Sequence, residues 1–525
     1  MDEVLTAIGE RLPSKVGIEP ALYVSRMENH DQAYYVWRDA GVKHRVLVHI
    51  DAHHDMWWIK DQATITIANF ICPALKQDMV REVIWVVPDA TFESATSRES
   101  VRKQLREILQ NYPASSRTPV VEEHRITATV LGKKLSICAL RWLPAPGESV
   151  LLDIDVDYLV IPRVCSESDR HDSLPWRWPN ELLGQLRGIS SDLVTVVYSV
   201  EGGYTPLRWK YLGDELVLRL KTPGGGGSDL EGMDRLREGA QAEVRGAAAE
   251  AESKYRQAMG LLPGSAAPPY RLARLLVKLG RLEEGRRLYG QAVALDGSYQ
   301  GAYSSEGFQR YWRREFGVAE QEFRDTLALD PQDVYSQYGL GLLAKKRKRW
   351  GEAEQYLRAA LAADDCLVGA QRALGDVLVK QGREQEALAA YERTLKLGLM
   401  GYKPLLGPIL THAPDHRLLD PWHYDTHARL AALYERNGAT TKAINALRIG
   451  IAGGFGSVAV RLRLARLYGR QHQWRKSAGE IWQAVKTSPQ EARRGYTRLR
   501  RRLREKMQGG KWNGRGPGGA QGRAE

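Results

Sequence analysis

Apolar positions along this chain keep two different periods. Through the first 221 residues, the short apolar runs Val46–Ile50, Val83–Val87, Val150–Ile154 and Leu193–Val200 stand between helical stretches such as Arg98–Gln110 and Asn180–Leu186. Strands separated by helices of this length predict an α/β unit with a mostly parallel sheet. Beyond it the spacing lengthens. Tyr255, Tyr289, Phe323, Leu357 and Tyr391 follow one another at intervals of 34 residues, as do Leu447 and Ile481, and Gly307, Gly341 and Gly375 keep the same interval. Such a period predicts helix pairs that bury their apolar faces only against neighbouring pairs, stacked into an all-α solenoid with a concave surface.

A large apolar residue, a small one three positions later (Ala258, Ala292, Thr326, Ala360, Thr394) and a following Pro (Pro263, Asp330-Pro331) together resemble the tetratricopeptide repeat. The resemblance covers residues 235–490. Gly285 stands where a small alanine is usual, and Leu357 where an aromatic is usual. The interval from Tyr391 to Leu447 exceeds one period, which places an insertion rich in Pro and His near 401–424. The Gly- and Ser-rich stretch Thr222-Pro223-Gly224-Gly225-Gly226-Gly227-Ser228-Asp229 reads as a flexible joint, giving a linker over 222–234 and two halves that fold independently. Residues 491–525 read as a basic helix end followed by a disordered tail.

Charge is uneven along the chain. Residues 1–221 hold 26 Lys and Arg against 30 Asp and Glu, whereas the remainder holds 50 against 33. A basic repeat array suits an acidic leader peptide or an acidic protein partner, and nucleic acid is not the expected ligand. Cys72, Cys138, Cys165 and Cys366 show no Cys-x-x-Cys spacing, which argues against a zinc knuckle or a disulfide framework. No apolar run is long enough to span a bilayer, so the expectation is a cytoplasmic protein without a membrane partner.

Candidate chemistry lies at the ends of two strands. Val46–Ile50 runs into Asp51-Ala52-His53-His54-Asp55, and side-chain alternation would put Asp51, His53 and Asp55 on one face. Val150–Leu152 runs into Asp153-Ile154-Asp155 with both acids on one face. In parallel sheets, ligands gather at these carboxyl ends. Four acids and an imidazole on apolar strands are costly to bury unless cations neutralise them, so a pair of divalent metals is expected.

His30, Asp-x-His-x-Asp at 51–55 and Asp-x-Asp at 153–155 together resemble the ureohydrolase superfamily of arginases and deacetylases. Glu28-Asn29-His30, His49-Ile50-Asp51 and Asn69-Phe70-Ile71 look most like its small peptide-arginase branch, over residues 17–215. The resemblance implies an arginase-like α/β domain with two Mn²⁺ ions. One ion would be held by His30, Asp51, Asp55 and Asp153, and the other by Asp51, His53, Asp153 and Asp155. It further implies an enzyme that converts arginine side chains of a peptide or protein substrate to ornithine and urea. Asp55 would move the proton and Glu201 would bind the guanidinium through two charge-assisted bonds. The glycine-rich stretch that precedes the first histidine in classical arginases is absent, which disfavours free arginine as substrate. Plainer readings are a helix-capping strand end for Asp51–Asp55, a surface histidine for His30 and a solvated loop acid for Glu201. Asp157 and His54 are expected outside the ligand set, exposed or supporting it. Two other functions compete: a deacetylase-like amidohydrolase with one zinc, and a non-enzymatic repeat scaffold.

Overall fold

The computed structural model describes residues 22–57, 65–164, 174–200, 204–222, 227–300, 303–399, 421–452 and 456–488. Glu201, most of the predicted insertion and the predicted tail lie outside them. The strands are β1 (Tyr23–Met27), β2 (Arg45–Ile50), β3 (Val80–Val87), β4 (Val120–Val121), β5 (Ile126–Val130), β6 (Lys133–Ala139), β7 (Val150–Asp155) and β8 (Ser191–Val197). They form one sheet in the order β1-β8-β7-β2-β3-β6-β5-β4. Pairing is parallel from β1 to β6, and antiparallel where β5 pairs with β6 and β4. The helices around it are α1 (Asp31–Asp39), α2 (Ile71–Lys76), α3 (Ala95–Leu109), α4 (Asp157–Val160), α5 (Pro179–Gln185) and α6 (Tyr211–Lys221).

Alternation in each strand feeds two cores. Val46, Val48 and Ile50 of β2 join Leu152 and Ile154 of β7 on one face, while Leu47 and Leu151 enter the core of the other, with Trp37, Phe70 and Trp85. The last predicted strand stops at Val197 rather than Val200. Ser199 takes a left-handed conformation, φ 53, and its carbonyl accepts from the N–H groups of Tyr204 and Thr205, which turns the chain.

The helical region follows as the pairs α7 (Ser228–Val244) and α8 (Ala248–Leu261), α9 (Ala267–Lys278) and α10 (Leu282–Leu295), α11 (Tyr303–Trp312) and α12 (Phe316–Leu329), and α13 (Val334–Lys346) and α14 (Trp350–Ala363). Next come α15 (Val368–Lys380) and α16 (Glu384–Leu399), α17 (Pro421–Arg436) and α18 (Thr440–Ala452), and α19 (Val458–Arg470) and α20 (Trp474–Thr487). Each turn inside a pair holds one residue at positive φ: Gly246, Gly280, Arg314, Lys348 and Gly382, all 34 apart, then Gly438 and His472. Left-handed backbone there ends the first helix of the pair and satisfies its last carbonyls. No helix among the described residues is long and apolar enough to cross a membrane.

The spaced glycines have a packing cause. A Cβ added at Gly307 would sit 2.5 Å from the Phe323 ring, one at Gly341 2.8 Å from Leu357 and one at Gly375 2.6 Å from the Tyr391 ring. Each is the seat of the large residue sixteen positions on. Gly307→Val is therefore expected to destabilise by about 1–3 kcal/mol through overpacking, read as a lower thermal midpoint. An unchanged midpoint would show that Phe323 can turn away at no cost.

The chain divides into two compact units, one holding the described residues through Ala370 and the other those from Gln371. This corrects the expectation of a joint at 222–234 between independent halves. Helix α7 begins at Ser228, within the predicted linker, and the core on one sheet face continues through Trp209 and Tyr211 into Leu236, Tyr255, Tyr270 and Leu272 of the first repeats. The turn before α6 is gripped by the repeats. Arg271 lies 4.8 Å from the Trp209 ring, Arg208 pairs with Glu306 at 3.3 Å, and Lys210 pairs with Asp296 at 2.7 Å. A short Gly-rich connection does not separate domains when large apolar surfaces on both sides of it face each other. In the second unit, Ala431, Ile444, Leu447, Leu464 and Tyr468 form a separate small core.

Candidate metal centre

β2 is the point where the sheet order reverses: β3, next in the chain, lies on one side, and β7 on the other. The crevice beyond the carboxyl ends of β2 and β7 is where such a sheet leaves room for a ligand. His49 is level with Asp153, and Asp153 with Thr195, so one row of polar side chains crosses three strands on the same face. Asp51 follows His49 by two residues and Asp155 follows Asp153 by two, which carries the row to the strand ends.

The imidazole of His30, at the start of α1, enters between the acids. Its Nδ1 lies 3.2 Å from Asp51, 2.9 Å from Asp55 and 3.2 Å from Asp155, and its Nε2 lies 2.7 Å from Asp153. All five side chains are buried. The structure thus brings together His30, Asp51, Asp55, Asp153 and Asp155. Strand alternation is not what delivers Asp55, because β2 ends at Ile50 and Asp55 reaches the group from a loop in left-handed backbone, φ 48. Asp tolerates that conformation better than most residues.

His53 stands apart from the second predicted ligand set. Its Nδ1 is 2.7 Å from Asp157 and 3.6 Å from Asp51, so in this geometry it faces Asp157 rather than Asp153 or Asp155. Asp157 is buried, and His54 packs edge-on against Trp57 and Trp85.

Sequence reasoning missed His49, fully buried with Nδ1 2.8 Å from Asp153. The signal was present, because the i, i+2 series begins at His49 rather than Asp51. It also missed Thr195 and Ser199, whose hydroxyls donate to Asp153 and Asp155. Their partners are distant in sequence, so no local pattern marks them.

The clustered carboxylates dominate the electrostatics here. Burial alone would lower the His30 pKa, but the facing carboxylates of Asp153 and Asp55 raise it well above its ordinary value. His53 is likewise raised against burial, by Asp157. Burial, with Asp157 and Asp51 close by, pushes Asp155 up to about 8. Asp153 moves the other way, held far below the usual range by His30 and His49 despite its burial. Two buried atoms test whether metal ions fit: Asp51 Oδ2 and His49 Nε2 have no hydrogen-bond partner among the described residues. Four trios of potential donor atoms in this cleft lie within 4.8 Å of one another, and Asp51 belongs to three of them. An oxygen-rich set with imidazoles suits hard or borderline divalent ions. A cavity of about 290 Å³ opens over the group, lined by Trp57, Gln104, Ser199 and Tyr204 as well as the acids.

A pH dependence follows. His30, His53 and Asp155 all have folded-state pKa values above their unfolded ones, so the stability they contribute is lost as pH rises. Below about pH 6.5 the loss from Asp155 is opposed by His54, which burial holds down to about 4, so metal-stripped protein is expected to melt progressively lower from about pH 6.5, the ordinary histidine value, to about pH 8. A divalent cation displaces those protons and should reverse the trend. A metal-stripped midpoint that rises over this window would contradict the assignment.

The tetratricopeptide repeat family matches residues 245–304. The comparison with curated protein sequences returned no match. Among solved structures, the chain is similar to MamA at 18% identity, over 36% of this chain and 96% of MamA, with a TM-score of 0.29. It is similar to YrrB, a TPR protein with an unusual peptide-binding site, at 22% identity over 38% of this chain and 91% of that one, with a TM-score of 0.25. A tetratricopeptide repeat protein from Parabacteroides merdae shares 15% identity over 49% of this chain and 93% of that one, with a TM-score of 0.26. Superpositions this loose add nothing to the family match and the recurring pair geometry. On those two grounds, residues 245–304 match the tetratricopeptide repeat family, and the helical region that follows the α/β domain is tetratricopeptide-repeat-like.

Proposed function

We propose that the α/β domain is an arginase-type hydrolase with two divalent ions, most naturally Mn²⁺, acting on arginine side chains of a peptide. The repeats would bind that peptide or a protein partner. The observation that carries this reading is the convergence of His30 and four buried aspartates at the carboxyl ends of β2 and β7, with Asp51 Oδ2 lying 3.2 Å from His30 and 3.4 Å from His49 but in hydrogen-bond geometry with neither. An uncompensated group of this kind destabilises the fold unless cations complete it.

His30, Asp51, Asp55, Asp153 and Asp155 would hold the ions, with His53 joining from the side of Asp157. Bound ions would activate water and polarise the guanidinium carbon. The chain's own residues do the rest. Asp55 accepts a proton from the attacking water and returns it to the departing amine, so that guanidinium and water become ornithine and urea. His49, Thr195 and Ser199 fix the carboxylates. Glu201, two residues past Ser199, is the proposed anion for the guanidinium.

The test combines elemental analysis of purified protein with urea release from arginine-containing peptides. Two equivalents of metal and stoichiometric urea are expected. The repeat match favours one other reading, a protein-binding scaffold without catalysis. Partner binding with neither metal nor urea would decide for it.

A further inference from the structure

A second and larger cavity, of about 750 Å³, lies within the first unit where the α/β domain meets its repeats. Its volume is in the range of small-ligand sites. Strand β1 and the residues after it supply Arg26 and Glu28, α6 with the turn before it supplies Lys210 and Asp214, and Asp229, Asp296 and Tyr299 come from the repeats. Four acids thus face two bases.

One base is already committed. Lys210 is paired with Asp296 at 2.7 Å and lies 5.6 Å from the Tyr198 ring and 5.3 Å from the Tyr299 ring. Asp214 is partly buried and accepts from the Tyr198 hydroxyl at 2.7 Å, and Asp229 accepts from Ser228. Neither carboxylate forms an ion pair among the described residues, and Lys210 and Arg26 act on Asp214 only from further away. Tyr299 supplies an independent sign of a missing ligand. It is 2% exposed and lines the cavity, and its hydroxyl has no hydrogen-bond partner among the described residues.

This cavity shares a wall with the metal cleft. Glu28 and Tyr198 line the first, while His30, two residues after Glu28, and Ser199, next to Tyr198, line the second. The Glu28 carboxylate accepts from the Val200 N–H at 2.7 Å, which ties the two segments of the wall together. We propose that the junction cavity is a second recognition site, which takes a basic side chain neighbouring the arginine in the peptide. This deepens the hydrolase reading and rests on it for the identity of the peptide. The ligand's cation would sit between Asp214 and Asp229, with the Tyr299 hydroxyl as a further polar contact.

The experiment is calorimetric titration of the full chain with argininamide and with citrullinamide, which has nearly the same shape and the same α-amine but lacks the guanidinium charge. It uses Asp51→Ala protein, in which the metal cleft is disabled. One argininamide site is expected, with citrullinamide at least tenfold weaker. Asp214→Asn added to that background should weaken argininamide at least tenfold, and Tyr299→Phe and the exposed Asp229→Asn should each weaken it by a smaller factor. If Asp214→Asn does not fold, those two variants decide. Absence of argininamide binding, equal binding of both probes, or indifference to all three substitutions would overturn the proposal. Urea release is measured separately on unsubstituted protein. If urea is absent while Asp214-dependent binding persists, the hydrolase reading fails and the cavity stands.

Discussion

Asp51→Ala is expected to strip the protein of both metal ions and reduce urea release to background. Asp51 lies within donor range of His30, His49 and His53 and belongs to more of the potential donor groups than any other residue. Under the proposed two-metal reading, its removal would take away the carboxylate that the two ions would share. Asp157→Asn is the comparison, because the Asp157 carboxylate is held by His53 and the Ala52 N–H, and its contact with Asp155 is made by its own backbone N–H, which the substitution keeps. That substitution should lower metal affinity by about 10–100-fold without abolishing loading. Elemental analysis after dialysis separates the two outcomes. Full occupancy in Asp51→Ala protein would remove it from the ligand set.

A chain ended at Thr222 is expected not to fold cooperatively, whereas one ended after α14 at Ala363 should. The shorter chain uncovers Trp209, which is 2% exposed in the full structure, and removes Arg271 from its ring. It also takes Arg237 away from Glu215, a fully buried acid that then keeps Arg219 alone. Exposing one large aromatic costs about 3 kcal/mol or more, and the apolar residues around Trp209 that pack on Leu236, Tyr255, Tyr270 and Leu272 are uncovered with it. Against a typical total of about 5–15 kcal/mol, these losses exhaust most of the margin. Scanning calorimetry of both truncations is the measurement. A sharp, unshifted transition in the shorter chain would show that the repeats merely rest on the α/β domain.

Local pattern was a sound guide where the physics is local. Alternation placed β2 and β7 and, with them, Asp51, Asp153 and Asp155, because a strand's side-chain period survives any tertiary arrangement. The 34-residue interval located the helix pairs, since each pair must present the same seat to its neighbour, as Gly307 does to Phe323. Beyond the strand end the same reasoning failed. His53 turned to Asp157, and Asp55 reached His30 only through a left-handed loop.

The sequence by itself determined an α/β domain followed by helical repeats, and the residue types at two strand ends that make a metal site chemically reasonable. Only the tertiary structure decided that His30 stands among four carboxylates, that His49, Thr195 and Ser199 hold them, and that the first repeats complete the α/β core instead of hanging from a flexible joint. The physical reason is distance along the chain. His30 and Asp153 are separated by 123 residues and Arg208 and Glu306 by 98, and contacts of that span are selected by the burial of whole faces, which no window of neighbouring residues records.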